Sequence, residues 1–345
     1  MLDLLESIGA IKNVEPDYIM HTTVPVSTPE LDERELQERA LTSQVEAPWG
    51  LGRISHKAKG QNVYVYDNSA GSGTTIYVID TGVSTGHVEF TGRARIGANF
   101  VSGESSADGN GHGTHCAGTA ASRKYGVAKN ANIVGVKVLG ADGSGSNSQV
   151  LAGINWAVND AKNNNRLSKS VISMSLGGGY SQQSNDAVAQ AVRAGVFVAV
   201  AAGNEGENAA NSSPASEPSV CTVGASDIND TFAYFSNYGT LVDIIAPGVN
   251  VLSTWIGSNT ATNTLSGTSM ATPHIAGLAA YLIALEGARS PAALCSRIQT
   301  LSGKNYLSSV PSGTKNQIVS SQPSQHTCLE SSSLTFSQAY NGNGY

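Results

Sequence analysis

Ser266-Gly267-Thr268-Ser269-Met270-Ala271-Thr272-Pro273-His274 sets a serine where a glycine-bearing turn runs into an apolar, alanine-rich stretch. Residues 268–285 read as one long apolar helix, with Pro273 in its first turns, where a missing N–H does least harm. A serine at the start of such a helix is a candidate nucleophile. Upstream, Asp80 closes the run Val78-Ile79-Asp80-Thr81-Gly82, and His112 stands in Gly111-His112-Gly113-Thr114-His115. The chain order is therefore Asp, His, Ser. A hydroxyl attacks well only when a base takes its proton, and a neutral imidazole serves when a carboxylate fixes its tautomer and stabilises the imidazolium.

The surroundings supply a scaffold. Apolar runs at 76–79, 133–139, 171–176, 196–201 and 220–223 read as buried strands, and 149–162 and 182–194 carry helical spacing between them. Strands apolar on both faces and separated by helices predict a mainly parallel sheet in an α/β sandwich. Reactive residues in such sheets gather at the carboxyl ends of the strands.

The chain has 345 residues, enough for one large core, and only 13% of them are charged. Its net charge of −6 argues against nucleic acid as a partner. No apolar run is expected to reach the ~20 residues that span a bilayer, so no membrane partner is expected either. Asn211-Ser212-Ser213 and Asn229-Asp230-Thr231 have the form of glycosylation acceptors.

The three motifs, with Ala201-Ala202-Gly203-Asn204 and the run from Ala47-Pro48-Trp49-Gly50-Leu51-Gly52-Arg53-Ile54, resemble the subtilisin-like serine proteases. The likeness is greatest to the proteinase K subfamily and its secreted fungal members, and covers about residues 42–316. It implies a three-layer sandwich and a serine endopeptidase using Asp80, His112 and Ser269, with the Asn204 side chain in the oxyanion hole. It implies that Gly143, Ser144 and Gly145, and Ser175, Leu176 and Gly177, flank an extended substrate peptide. The first specificity pocket is then walled by Ala201, Ala202, Gly203 and residues 175–177, none of them charged, so cleavage after apolar or aromatic residues is expected. Asn147 replaces a tyrosine common over a more distant subsite, which is expected to be more open or polar.

The resemblance also implies one structural Ca²⁺ on Pro218, Val220 and Asp243; at a second calcium position of the subfamily Tyr306 replaces an aspartate. Four cysteines allow three pairings. The likeness selects Cys221–Cys295, leaves Cys116 a buried free thiol beside the histidine, and gives Cys328 no role. Residues 1–41 resemble the end of an inhibitory propeptide, with Val14-Glu15-Pro16-Asp17 as its closing motif, followed by a connector. The expected domains are thus 1–41 and a peptidase domain at 42–345, preceded in the full protein by a signal peptide and the rest of the propeptide. Self-cleavage is expected between Arg39 and Gln44, with the connector lying through the cleft. The expected product is a secreted monomer acting on proteins and peptides and inhibited by its own propeptide. Residues 317–338, rich in Ser and Gln, read as foreign to the domain.

Three rivals are weaker. A zinc site on His112, His115 and Cys116 lacks the glutamate and spacing of zinc peptidases. An α/β-hydrolase esterase needs a G-x-S-x-G turn and a Ser-Asp-His order, and neither is present. A catalytically silent binding protein would have to lose activity with every reactive residue in place.

Overall fold

The structure, a computed structural model, describes Asp17, residues 19–22 and residues 41–321. Its centre is a nine-stranded sheet in the order Gly303–Lys304, Gln317–Ile318, Ile244–Pro247, Cys221–Ser226, Phe197–Ala201, Ser170–Met174, Thr75–Asp80, Asn132–Lys137 and Ala94–Asn99. Neighbouring strands run parallel except at the Gly303–Lys304 edge. The five strands expected from apolar runs are all present, their ends differing by up to three residues.

Alternation along each strand builds two cores. In Thr75–Asp80, Ile76 and Val78 enter one buried cluster, and Tyr77 and Ile79 enter the other. The first cluster takes residues from the helices Trp49–Ser55, His112–Ala121, Thr268–Glu286 and Pro291–Leu301. The second takes them from Asn147–Asn163 and Gln182–Arg193. Helices therefore cover both faces, giving the expected three layers. Asp80 shares the parity of Ile76 and Val78, so its carboxylate emerges on the face that carries the helices of His112 and Ser269.

Thr268–Glu286 is long and apolar enough to cross a membrane by length and composition, contrary to the expectation that no such run exists. Here it is the core helix: 89% of its most apolar window is buried. Helices apolar all round suit the middle of a large core as well as a bilayer.

Cys221 and Cys295 form the expected disulfide, tying a sheet strand to the helix Pro291–Leu301, with Cys116 a buried free thiol. At the C-terminus the expectation of a foreign segment beginning at 317 fails. Gln317–Ile318 pairs with two strands, and Ile318 and Val319 are fully buried. Ser321 donates its backbone N–H and hydroxyl to the Ile54 carbonyl. An Ile-Val pair suits a strand flanked on both sides, and it was hidden in a window dominated by polar residues. Cys328 and the remainder of that window lie outside the described residues.

Candidate active site

Asp80 ends its strand, His112 opens its helix and Ser269 begins the core helix, and all three are buried. His112 Nδ1 lies 2.8 Å from Asp80 Oδ1. A carboxylate accepts, so Nδ1 carries the proton and Nε2 presents its lone pair. Nε2 has no hydrogen-bond partner among the described residues. The Ser269 hydroxyl donates to the Ser175 carbonyl at 3.0 Å, and Ser175 Oγ donates to the Ser269 carbonyl at 2.8 Å. Burial disfavours the imidazolium, but the adjacent Asp80 carboxylate outweighs it and holds the His112 pKa well above the usual 6.5.

The turn at Asp80 and the helix at His112 are fastened together by a residue the sequence reading missed. Asp108 accepts from Thr81 Oγ1 and the Gly111 N–H through one oxygen and from the Thr114 N–H and Oγ1 through the other. Thr81 Oγ1 in turn accepts from the Gly113 N–H at 2.9 Å. A Cβ on Gly113 would fall 2.1 Å from the Gly82 carbonyl, so glycine is what permits this approach.

Asn204 follows the strand Phe197–Ala201 through Gly203, whose φ of +104° turns the chain. Asn204 Oδ1 accepts from the Thr268 N–H at 2.9 Å and from Thr268 Oγ1 at 2.8 Å. Because an N–H can only donate, the facing atom must be the amide oxygen, and Nδ2 is left on the opposite side. The Ser269 N–H, in the first turn of its helix, has no intrahelical acceptor. Thr268, also missed from sequence, is therefore the residue that orients Asn204.

The segments expected to flank a substrate do flank an extended strand: the chain's own Ile19–Thr22. It runs antiparallel between Ser144–Ser146 and Leu176–Gly179, with Met20 opposite Gly145 and His21 opposite Ser144 and Gly177. The connector expected in the cleft lies, up to residue 40, outside the described residues; Leu41–Gln44, which follow it, pair with Tyr64–Asp67. Met20 is fully buried in the second core cluster. Asn147 is buried, donating to Ser181 Oγ and accepting from Ser184 Oγ.

Ala201, Ala202 and Gly203 line a cavity of about 250 Å³ with Leu176 and Gly177, as expected, but Glu205 and Glu207 line it too. The expectation of an uncharged lining is corrected: both glutamates come from the loop after Asn204, whose course the sequence does not reveal.

The zinc alternative fails on geometry. His115 Nε2 is engaged by the carbonyls of Val251 and Asn263, and burial lowers its pKa to about 3. For calcium, Pro218, Val220 and Asp243 offer hard oxygen donors of the right kind. Yet Asp243 Oδ1 already accepts from Lys315 Nζ at 2.8 Å and Gln299 Nε2 at 3.0 Å, and Oδ2 from the Thr222 N–H. The set suits a divalent ion only with the Lys315 ammonium swung away, which its 38% exposed side chain allows.

A buried Asp–His pair, a serine at a helix start and an amide held by the next turn, all on a mainly parallel sheet, define a serine hydrolase of the subtilisin fold. The chain belongs to the Subtilase family, whose model matches residues 71–318. It is similar to the cuticle-degrading protease of Metarhizium anisopliae, 58% identical over 278 residues, 81% of this chain and 71% of that one. It is equally similar to the alkaline serine protease ver112 of Corniculantispora psalliotae, 58% identical over 279 residues, 81% of this chain and 72% of that one. A solved cold-adapted subtilisin-like serine proteinase superposes with a TM-score of 0.75 at 43% identity, covering 80% of this chain and 99% of that chain. The protein is a serine endopeptidase acting on protein substrates.

Proposed function

We propose that Ser269 is the nucleophile, His112 the general base and then acid, and Asp80 the carboxylate that orients the ring. His112 Nε2 takes the hydroxyl proton as Ser269 Oγ bonds to the peptide carbonyl carbon. Asn204 Nδ2 and the Ser269 N–H then receive the oxyanion. The C–N bond breaks as His112 gives its proton to the departing amine, leaving an ester on Ser269. Water, deprotonated by His112, hydrolyses that ester and restores the hydroxyl.

The substrate binds as an added strand between Ser144–Ser146 and Leu176–Gly179, so backbone pairing supplies affinity over many sequences. Apolar and aromatic residues enter the pocket beside Ala201 and Ala202. The pairing of Ile19–Thr22 in this groove supports an inhibitory role for the N-terminal segment, which leaves after cleavage between Arg39 and Gln44. The cuticle-degrading relative supports an extracellular enzyme, which acts as a monomer in this reading. Calcium, bound at Pro218, Val220 and Asp243 with Lys315 displaced, would stabilise the fold and take no part in the chemistry.

The observation that carries this reading is the unpartnered Nε2 of a carboxylate-held histidine next to the Ser269 helix. An unfolded protein incubated with the purified enzyme should yield internal fragments with new amino and carboxyl termini, and the Ser269→Ala protein should yield none. Release of single terminal residues alone would overturn the endopeptidase assignment.

A further inference from the structure

Lys137 ends the strand Asn132–Lys137, in register with Asp80 on the neighbouring strand. Its side chain is buried, and its ammonium meets three oxygens: the Thr81 carbonyl at 2.9 Å, the Leu139 carbonyl at 2.7 Å and Glu104 Oε2 at 3.0 Å. An ammonium has three N–H groups, so every donor is used and the buried charge is compensated. Glu104 carries the link onward. Its two oxygens accept from the Ala141 N–H at 3.0 and 3.2 Å, and a Cβ on Gly140 would fall 2.9 Å from Oε1, so glycine lets the carboxylate reach this turn. The same turn leads into Ser144–Ser146, which pairs with Ile19–His21, and the Gly140 N–H donates to the Ser144 carbonyl at 2.7 Å. At the other end of the link, Thr81 follows Asp80, and its Oγ1 is bound to Asp108 and to the Gly113 N–H of the His112 helix.

One ion pair therefore joins the strand that borders the groove to the turn that carries Asp80. We infer that Glu104 and Lys137 are positioning residues, which hold Ser144–Ser146 at a fixed offset from Asp80 so that an extended substrate meets His112 and Ser269 in register. They act through Ala141, Leu139 and Thr81. Small displacements between a bound substrate and its catalytic groups are costly in rate, so a rigid spacer at this joint has kinetic value. The two partners differ in reach. Glu104 acts on the turn before the groove strand, whereas Lys137 acts on Thr81 as well.

This inference rests on the proposed substrate groove, and its test separates the two. Enzyme purified after expression of the full chain is assayed on a short ester with a single blocked residue before the scissile bond, and on a longer peptide that extends along Ser144–Ser146. The parent should favour the longer substrate. Glu104→Ala should lower kcat/KM on it about five- to tenfold, chiefly through KM, and leave the short ester within about twofold. Glu104→Gln should recover most of that loss, because an amide oxygen at the Oε2 position still accepts from both Lys137 and the Ala141 N–H. Lys137→Met should lower kcat on both substrates; if it fails to fold, the two Glu104 variants decide alone. Equal loss on both substrates in Glu104→Ala, no loss on either, or no recovery in Glu104→Gln overturns the inference while leaving the endopeptidase reading standing. So does a folded Lys137→Met enzyme with parental kcat on the short ester. A parent that treats the two substrates alike would overturn the groove itself.

Discussion

Thr268 shows how much of a catalytic group's work is done by its neighbour. Without the donors from Thr268, the Asn204 amide could rotate and present either end to the cleft, and only one end donates. Asn204→Ala should lower kcat about 10²–10³-fold with a smaller effect on KM, a scale measured for oxyanion donors in this enzyme class rather than read from the geometry. A near-normal kcat would remove Asn204 from the oxyanion hole. The histidine makes a prediction of opposite kind. Only neutral His112 accepts the serine proton, so the rate rises with pH through its pKa, which Asp80 holds above the usual 6.5. The acid limb of kcat/KM should therefore sit on the alkaline side of an ordinary histidine, and in Asp80→Asn it should move down in pH as the rate falls. An unmoved limb would mean another group sets it. The residues of the proposed triad could be picked out because each sits inside its own short motif. Thr268, Asp108 and the two pocket glutamates were not, because their roles depend on which loops meet.

At the scale of elements, apolar runs were sufficient for the five central strands, whose residues are buried on both faces and need no polar alternation. The edge strand Ala94–Asn99 escaped notice because most of its residues are half-buried or exposed and it has no apolar run to read. The strand Leu41–Gln44 raises a different point. Lys129 donates to Gln44 Oε1 at 2.5 Å and to the Arg123 carbonyl, beneath the rings of Tyr64 and Tyr66. Burial pushes its pKa down to about 7. An unfolded lysine keeps its proton to about pH 10.4. Between those values the unfolded chain binds more protons, so the stability this site contributes increases with pH across about 7 to 10. Lys129→Met should raise the melting temperature most at or below pH 7, with the advantage shrinking toward pH 10. An advantage independent of pH would show that Lys129 stays charged in the fold.

The described residues are held by the two core clusters on the faces of the sheet, a third around Phe232, Ile245 and Ile318, and the Cys221–Cys295 bridge, beside which Asp243 lies. Chain-end reading was weakest here. The composition of residues 317–338 concealed Ile318 and Val319, which are buried against the sheet, and the connector at 25–40 lies outside the described residues. Calcium should raise the melting temperature by mass action on the folded state. Because the Lys315 ammonium competes for Asp243, Lys315→Met should bind Ca²⁺ more tightly and gain more from it, and Asp243→Asn should lose the gain. A melting temperature indifferent to calcium and to EDTA in both the parent and Lys315→Met would exclude the site.

Central to the proposed mechanism is a single reactive serine activated by a histidine 157 positions upstream, in the chain order Asp80, His112, Ser269. A fluorophosphonate reacts covalently with a serine only when it is activated in this way, and peptide mass spectrometry locates the adduct. The parent enzyme should carry one adduct, on Ser269, and lose peptidase activity as it forms, while His112→Ala should label at most very slowly. Labelling at another residue, or peptidase activity that survives full modification of Ser269, would contradict the account.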